Sequence, residues 1–224
     1  MTQFAAINRE AIWVALFSHL TAPAQALTAP LWAPNTAYEV GQVVIGNPPG
    51  EPCHLQQVLT AGQSAATIPA FNFTGGETED GSTTLVWQDI GPGFASVGRK
   101  HKKPPTLTRA EQSALFVIQA KETEIPQGPP GMPPKLMLHG FLIIYLLGPT
   151  VIENIGDETW LAATELNGLS TAIGNALQPD HVSSGKFTLG GLVTHCWIQG
   201  DASQDPGILG PQCAAIKPLH ILID

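Results

Sequence analysis

The chain has 224 residues, enough for one ordinary domain with a small one attached, and a formal net charge of −8. That acidic balance argues against a dedicated DNA-binding protein, which would normally be basic. It is 43% hydrophobic but only 12% charged, about half the charged fraction of a typical soluble domain. Such a surface suits either a protein packed against copies of itself and partners or a Gly/Pro/Thr-rich β protein.

Residues 1–6 lack a basic n-region and the apolar stretch 12–20 is short and helical in pattern, so no secretory signal is expected. No apolar run reaches the ~18 residues of a membrane span, and no membrane contact is expected. Asn8 is placed to cap a helix that starts at Arg9, with Glu10 in its first turn. Trp13, Leu16, Phe17 and Leu20 recur at helical spacing and predict a core-facing stripe. Pro23 closes that region.

Residues 29–91 change character. They contain no Lys or Arg, are rich in Pro, Gly, Thr and Val, and are bracketed by Trp32 and Trp87. Alternating runs at 40–45, 53–59 and 83–87 are separated by turn signals at Asn47-Pro48-Pro49-Gly50, Ala61-Gly62, Thr74-Gly75-Gly76 and Asp80-Gly81. This pattern predicts a small all-β module. The order WxPNTAYxxGxVV, CHLQ, AGxS, IPxF and DGxxxxxW resembles small chitin-type carbohydrate-binding modules, similar copies of which are inserted in phage tail proteins. Trp32, Tyr38 and Trp87 are then either module core or glycan contacts. His54 occupies a position where such modules often put an aromatic. Glu77, Glu79 and Asp80 sit in turn-rich sequence and are expected to be solvated.

Residues 94–97 resume as a short strand. An insert between the first helix and the first strand is tolerated because loop closure costs grow only logarithmically with length, and its ends should lie close together. Arg99, Lys100, Lys102 and Lys103 put four of the ten basic residues into five positions, with His101 among them and Pro104-Pro105 after them. This loop is either a patch that meets DNA or an acidic partner, or a solvated loop. Residues 113–120 (SALFVIQA) predict a strand. In IPQGPPGMPP, five prolines and two glycines fall in ten positions. Ile125, Pro126, Pro129, Pro130, Met132 and Pro133 therefore belong to an extended arm or a hairpin tip. Residues 136–147 predict a second long strand, apolar on both faces from Phe141 onward, as a central or doubly covered position would be. Asp157 or Thr159 would cap a helix over 160–177, striped by Ala162, Leu166, Leu169, Ile173 and Leu177 and ended by Pro179. Gly168 and Gly174 in it mark close packing or a bend.

Residues 186–199 (KFTLGGLVTHCWIQ) predict a long strand interrupted at Gly190-Gly191. Alternation puts Phe187, Leu189, Val193, His195 and Trp197 on one face, and Thr188, Leu192, Thr194, Cys196 and Ile198 on the other. The closing apolar run, 214–223, is placed to pair with it antiparallel, and this pair is expected at the centre of the sheet. Cys196 and Cys213 either face each other across that pair or are buried as small apolar groups. The whole order predicts an α+β fold: a mostly antiparallel sheet with two main helices, plus a small all-β inserted domain.

No Walker loop, GxSxG or HExxH occurs. Cys53, Cys196 and Cys213 form no CxxC. Asp201 and Asp205 are too few carboxylates for a calcium site. His139 and His195 read as structural strand residues. No catalytic residue, metal or cofactor is expected.

TLGGLVxHCWI, then a DPG loop and an apolar final strand, together with NREAIWxALF, FASVGRK and SALFVIQ, resembles the tail terminator proteins of long-tailed bacteriophages and prophages. The resemblance covers 1–28 and 92–224 and leaves 29–91 as the insert. It implies a structural virion protein at the head–tail junction: a closed homo-oligomeric ring, a hexamer, that caps the tail tube. Its partners would be itself, the tail tube protein, the head–tail connector or neck proteins, and DNA passing through the ring. The basic loop would line the channel or face the connector, and the proline arm would reach the next subunit or the tube. The alternative is a virion decoration or adhesin protein that binds a surface glycan through the insert.

Overall fold

The computed structural model describes residues 8–46, 53–81, 84–102, 113–127, 134–147, 162–181, 183–200, 203–205 and 212–224. Helix α1, Arg9–Leu20, begins where the Asn8 side chain accepts the Ala11 N–H, removing one orphan donor at the helix start. Ile12, Trp13, Leu16 and Leu20 are buried, with Phe17 packed beside them. After α1 the described chain forms β1 (Ala37–Tyr38), β2 (Val43–Gly46), β3 (His54–Thr60), β4 (Gly62–Gln63), β5 (Glu77–Glu79) and β6 (Val86–Pro92), then β7 (Ser96–Gly98), β8 (Ser113–Ile125) and β9 (Lys135–Leu147). Helix α2 (Ala162–Ala176) follows, then β10 (His195–Ile198), β11 (Ser203–Asp205) and β12 (Gln212–Ile223). The fold is α+β with mostly antiparallel sheets.

The main sheet runs β10-β12-β9-β8-β7, and β11 also pairs with β12. Only β7 and β8 are parallel among the described pairs of this sheet. Period-two alternation sends Leu136, Leu138, Leu142, Ile144 and Leu146 of β9 into one core with both helices. Leu115 and Val117 of β8 and Leu219, Ile221 and Ile223 of β12 join them. From α2, Leu166, Leu169 and Ile173 meet the same core. The two helices are tied where His19 Nε2 donates to the Ala176 carbonyl at 2.6 Å. Gly140 has a steric reason: a Cβ there would stand 2.6 Å from the Trp13 ring. Opposite it, β8 shifts register between Gln119 and Lys121. The predicted caps Asp157 and Thr159 lie outside the described residues.

Three expectations are corrected here. First, β9 is the middle of the sheet, while the β10–β12 pair lies toward one edge. Second, the strand predicted over 186–199 shrinks to His195–Ile198. Leu189, Gly190 and Gly191 all have positive φ, at 53°, 69° and 89°. Asp180 fills the turn, its carboxylate accepting from Thr188 N–H, Thr188 Oγ1 and Gly190 N–H at 2.6 to 2.9 Å. The chain reverses, and Cys196 N–H donates back to the Phe187 carbonyl. Phe187, Val193 and Cys196 therefore share the core, and the predicted two-face split across this stretch fails. Third, of the two positions that the apolar faces of 136–147 allowed, β9 takes the central one, and the described elements do not cover both its faces: Phe141 is 38% exposed.

The proline-rich stretch joins two strands that pair with each other. Strand β8 runs past Ala120 to Ile125, which pairs with Lys135 of β9. Pro126 follows directly, and Pro129, Pro130, Met132 and Pro133 lie outside the described residues. All three cysteines are buried and none is in a disulfide.

Residues 29–91 build their own small sheets, β2-β3-β6-β5 and β1-β4. Their core is Val44, Val58, Phe71, Leu85 and Trp87. The ends meet as the loop argument requires. Phe94 N–H donates to the Leu27 carbonyl at 2.8 Å, and Thr28 Oγ1 donates to the Phe94 carbonyl at 2.7 Å.

Candidate assembly surface

In an antiparallel sheet, directly opposed residues share a face. On the side away from the helices this places Phe116, Ile143 and Ile216 in one row across β8, β9 and β12, and Ile118, Phe141 and Pro218 in the next. Both rows are wholly apolar. Ile216, like Phe141, is 38% exposed, and Ile118, Ile143 and Pro218 are half-buried. A single-layer α+β sheet commonly turns a polar face to water. Here β-forming apolar residues occupy both faces, and the helices cover only one.

Beyond the apolar rows lies a row of rings. His139, His220 and Trp197 oppose one another across β9, β12 and β10. His139 and His220 are 4.9 Å apart. Trp197 stacks on His220 at 5.6 Å and on His195 at 4.7 Å. Burial, with smaller contributions from His220 and Lys121, holds the His139 pKa below the ordinary imidazole value. Uncharged, His139 adds ring surface to the apolar face at neutral pH rather than charge.

The opposite margin of this face carries the basic loop. His101 packs edge-on to Phe116 at 5.7 Å, and its Nε2 lies 3.0 Å from the Tyr145 hydroxyl. Lys100 and Lys102 are exposed beside it. Arg99 turns toward α1: its guanidinium grips both carboxylate oxygens of Glu10, the Nη2 contact being 3.0 Å. That hydrogen bond lowers the Glu10 pKa and raises that of Arg99. The predicted patch of four thus separates into an Arg99 clamp on α1 and the exposed Lys100 and Lys102. Lys103 lies outside the described residues.

The aromatic residues of the insert face inward. Trp87 is fully buried and offers no face to a sugar, which corrects its place among the candidate glycan contacts. Its Nε1 and that of Trp32 both donate to Asp80 Oδ2, at 3.0 and 2.9 Å. Asp80 Oδ1 accepts the Ala65 N–H at 2.9 Å. Asp80 is fully buried, contrary to the expectation of a solvated side chain, while Glu77 and Glu79 are exposed. Tyr38 lies edge-on to Trp87 at 5.0 Å, and its hydroxyl accepts the Ala33 N–H. Trp32 and Tyr38 remain half-buried.

One constellation escaped the sequence reading. His54, Asp89 and Glu165 are all buried. His54 Nδ1 lies 2.8 Å from Asp89 Oδ1, and Nε2 lies 2.9 Å from Glu165 Oε2. Burial works against a charged imidazole here, but hydrogen bonds to Asp89 and Glu165 outweigh it and push the His54 pKa up to about 9. Burial also opposes charge on Asp89, yet His54 and the Gly75 and Gly91 N–H groups hold its pKa below the usual value. The only sequence signal was negative: His54 stands where an aromatic was expected.

Among the described residues no group of three His, Cys, Asp or Glu side chains is arranged to hold a metal ion, and no helix is long and apolar enough to cross a membrane. Fold and surface together define an α+β protein with mostly antiparallel sheets and one apolar sheet face that no described element covers. No protein family matches the chain, and no curated protein matches it.

Proposed function

We propose that the chain is a ring-forming virion subunit, the terminator of a phage or prophage tail tube, and that the open face of its main sheet is an assembly surface. The observation that carries this reading is the pair of apolar rows centred on Ile143 and Phe141, left uncovered by α1 and α2. Three strands of this length offer a face about 40 Å long and about 15 Å wide. That is on the order of 600 Å², close to the roughly 800 Å² per partner of a standard interface. The two apolar rows form the centre of this face, about 15 Å by about 15 Å, and exposed apolar surface gathered in this way marks an interaction site more often than surface scattered singly. A ring that meets the tube through shape and buried area would stop further tube subunits from adding and present a new surface to the head, with no chemistry required. Tail tube protein, connector proteins and DNA in the channel are the partners this role needs. The glycan-binding alternative would rest on Trp32 and Tyr38 without Trp87.

The test is Phe141→Glu with Ile216→Glu. Both side chains are already partly exposed, so the melting temperature should stay within a few degrees while ring formation, followed by mass photometry and cryo-microscopy of virions, is lost. A virion map that places the chain away from the head–tail junction would refute the reading.

A further inference from the structure

We propose that His54, Asp89 and Glu165 form a buried charged latch that holds the inserted β module against α2, so that module and parent domain move and unfold as one body. His54 and Asp89 belong to β3 and β6 of the module, and Glu165 belongs to α2 of the parent domain. The neck alone, hydrogen-bonded at Leu27, Thr28 and Phe94, would fix where the module attaches but leave it a hinge. The latch adds a second attachment on another element. Beside it, α2 approaches β6 closely: a Cβ on Gly168 would lie 2.8 Å from Pro92 Cγ.

Proton counting sets the state of the latch. A neutral imidazole carries one N–H and one lone pair, so it can donate to one carboxylate only. Both His54 nitrogens lie within 2.9 Å of a carboxylate oxygen. The two contacts therefore need two protons in the set, and an imidazolium between two carboxylates supplies both without a protonated carboxyl. The surplus negative charge falls on Asp89, whose Oδ2 accepts Gly75 N–H and whose Oδ1 accepts Gly91 N–H, with Gln56 Nε2 at 3.4 Å. Two further described neighbours are uncharged. Phe73 lies edge-on to the imidazole at 5.2 Å, and burial pushes the Cys53 thiol up to about 12. Removing one member of such a buried set leaves the others uncompensated, which costs more than the set contributes over an apolar replacement.

The pH dependence follows from the signs. The folded His54 value is raised, so its stabilisation is complete below the ordinary imidazole value and is lost as pH rises through about 9. The folded Asp89 value is depressed, so its stabilisation is present above the ordinary carboxylate value and is lost as pH falls through the depressed one. Between those limits the latch stays closed.

The experiment uses the full chain. Imidazole ¹⁵N spectra should show His54 protonated on both nitrogens at pH 7.5 and titrating near 9; a neutral His54 ring at pH 7.5 would overturn the proposal. In Glu165→Gln, amide exchange in β3 and β6 should become about tenfold faster while β9 is unchanged, because the module opens on its own. Equal protection of β3, β6 and β9, as in the unaltered chain, would also overturn it. If Glu165→Gln does not fold, the unaltered chain at pH 10 decides. After correction for intrinsic exchange, selective loss of protection in β3 and β6 supports the latch. Loss in all strands together, or in none, sinks it.

Discussion

Asp80 organises the inserted module more than any aromatic around it. One carboxylate, itself fully buried, satisfies two indole N–H groups and a backbone N–H. A buried donor left without an acceptor costs about 1–3 kcal/mol. Asp80→Ala orphans three, so the module should lose on the order of 3 kcal/mol or more. Tryptophan fluorescence should report it as a lower melting temperature, because Trp87 leaves its buried site on unfolding. Asp80→Asn keeps one acceptor oxygen and should fall between the two. A melt for Asp80→Ala that superposes on that of the unaltered chain would show the carboxylate to be dispensable. Sequence reading missed this residue because Asp-Gly is a turn signal, and turn aspartates are usually solvated. Nothing local says that two tryptophans, 48 and 7 positions away, will converge on it.

At the scale of elements, the β8–β9 hairpin shows the sharpest tension between local pattern and context. Residues 113–117 of β8 are buried, whereas 119–124 are exposed. Over 118–125 the described strand pairs with β9 alone, since β7 reaches only 114–116. An exposed strand edge invites pairing with other chains, and charged side chains blunt it. Lys121, Glu122 and Glu124 stand on this edge, with Glu122 also held by Arg9 of α1 at 2.8 Å. Replacing Lys121 and Glu124 with Val should therefore leave the melting temperature nearly unchanged but raise light scattering on concentration. Unaltered solubility of that variant would show that the edge is covered in some other way. The helices were more legible. Asn8 and the Ile12, Trp13, Leu16, Leu20 spacing specify α1 locally, because cap and stripe lie within one short segment. The short β10 was not legible. Its length is decided by the Leu189–Gly191 turn, which the Asp180 carboxylate stabilises from eight to ten residues away.

The whole molecule joins two modules across a narrow neck. The contact between Leu27 and Phe94 means that deleting 29–91 can reconnect the chain without stretching it. The deleted protein should keep the main sheet and melt cooperatively. It should do so at a lower temperature, since Ala29, Ala95, Ile45, Cys53 and Leu55 form a small cluster at the base of the module. An insoluble product, or loss of a cooperative melt, would mean that the insert belongs to the core of the parent domain.

By itself, the sequence determined the two-helix α+β class, the first helix and its cap, the long strands at 113 and 135 and the antiparallel closing pair. Each depends on periodicity or punctuation within a dozen or so residues, where local sterics and burial decide. Tertiary structure alone decided that the β10–β12 pair lies toward one edge of the sheet, that no described element covers one apolar face of it, that Arg99 clamps Glu10, and that His54 meets Glu165 from 111 residues away. Alternation shows that a face is apolar but not what covers it. A charged side chain can be buried wherever distant partners complete its hydrogen bonds, and only the folded chain brings those partners together.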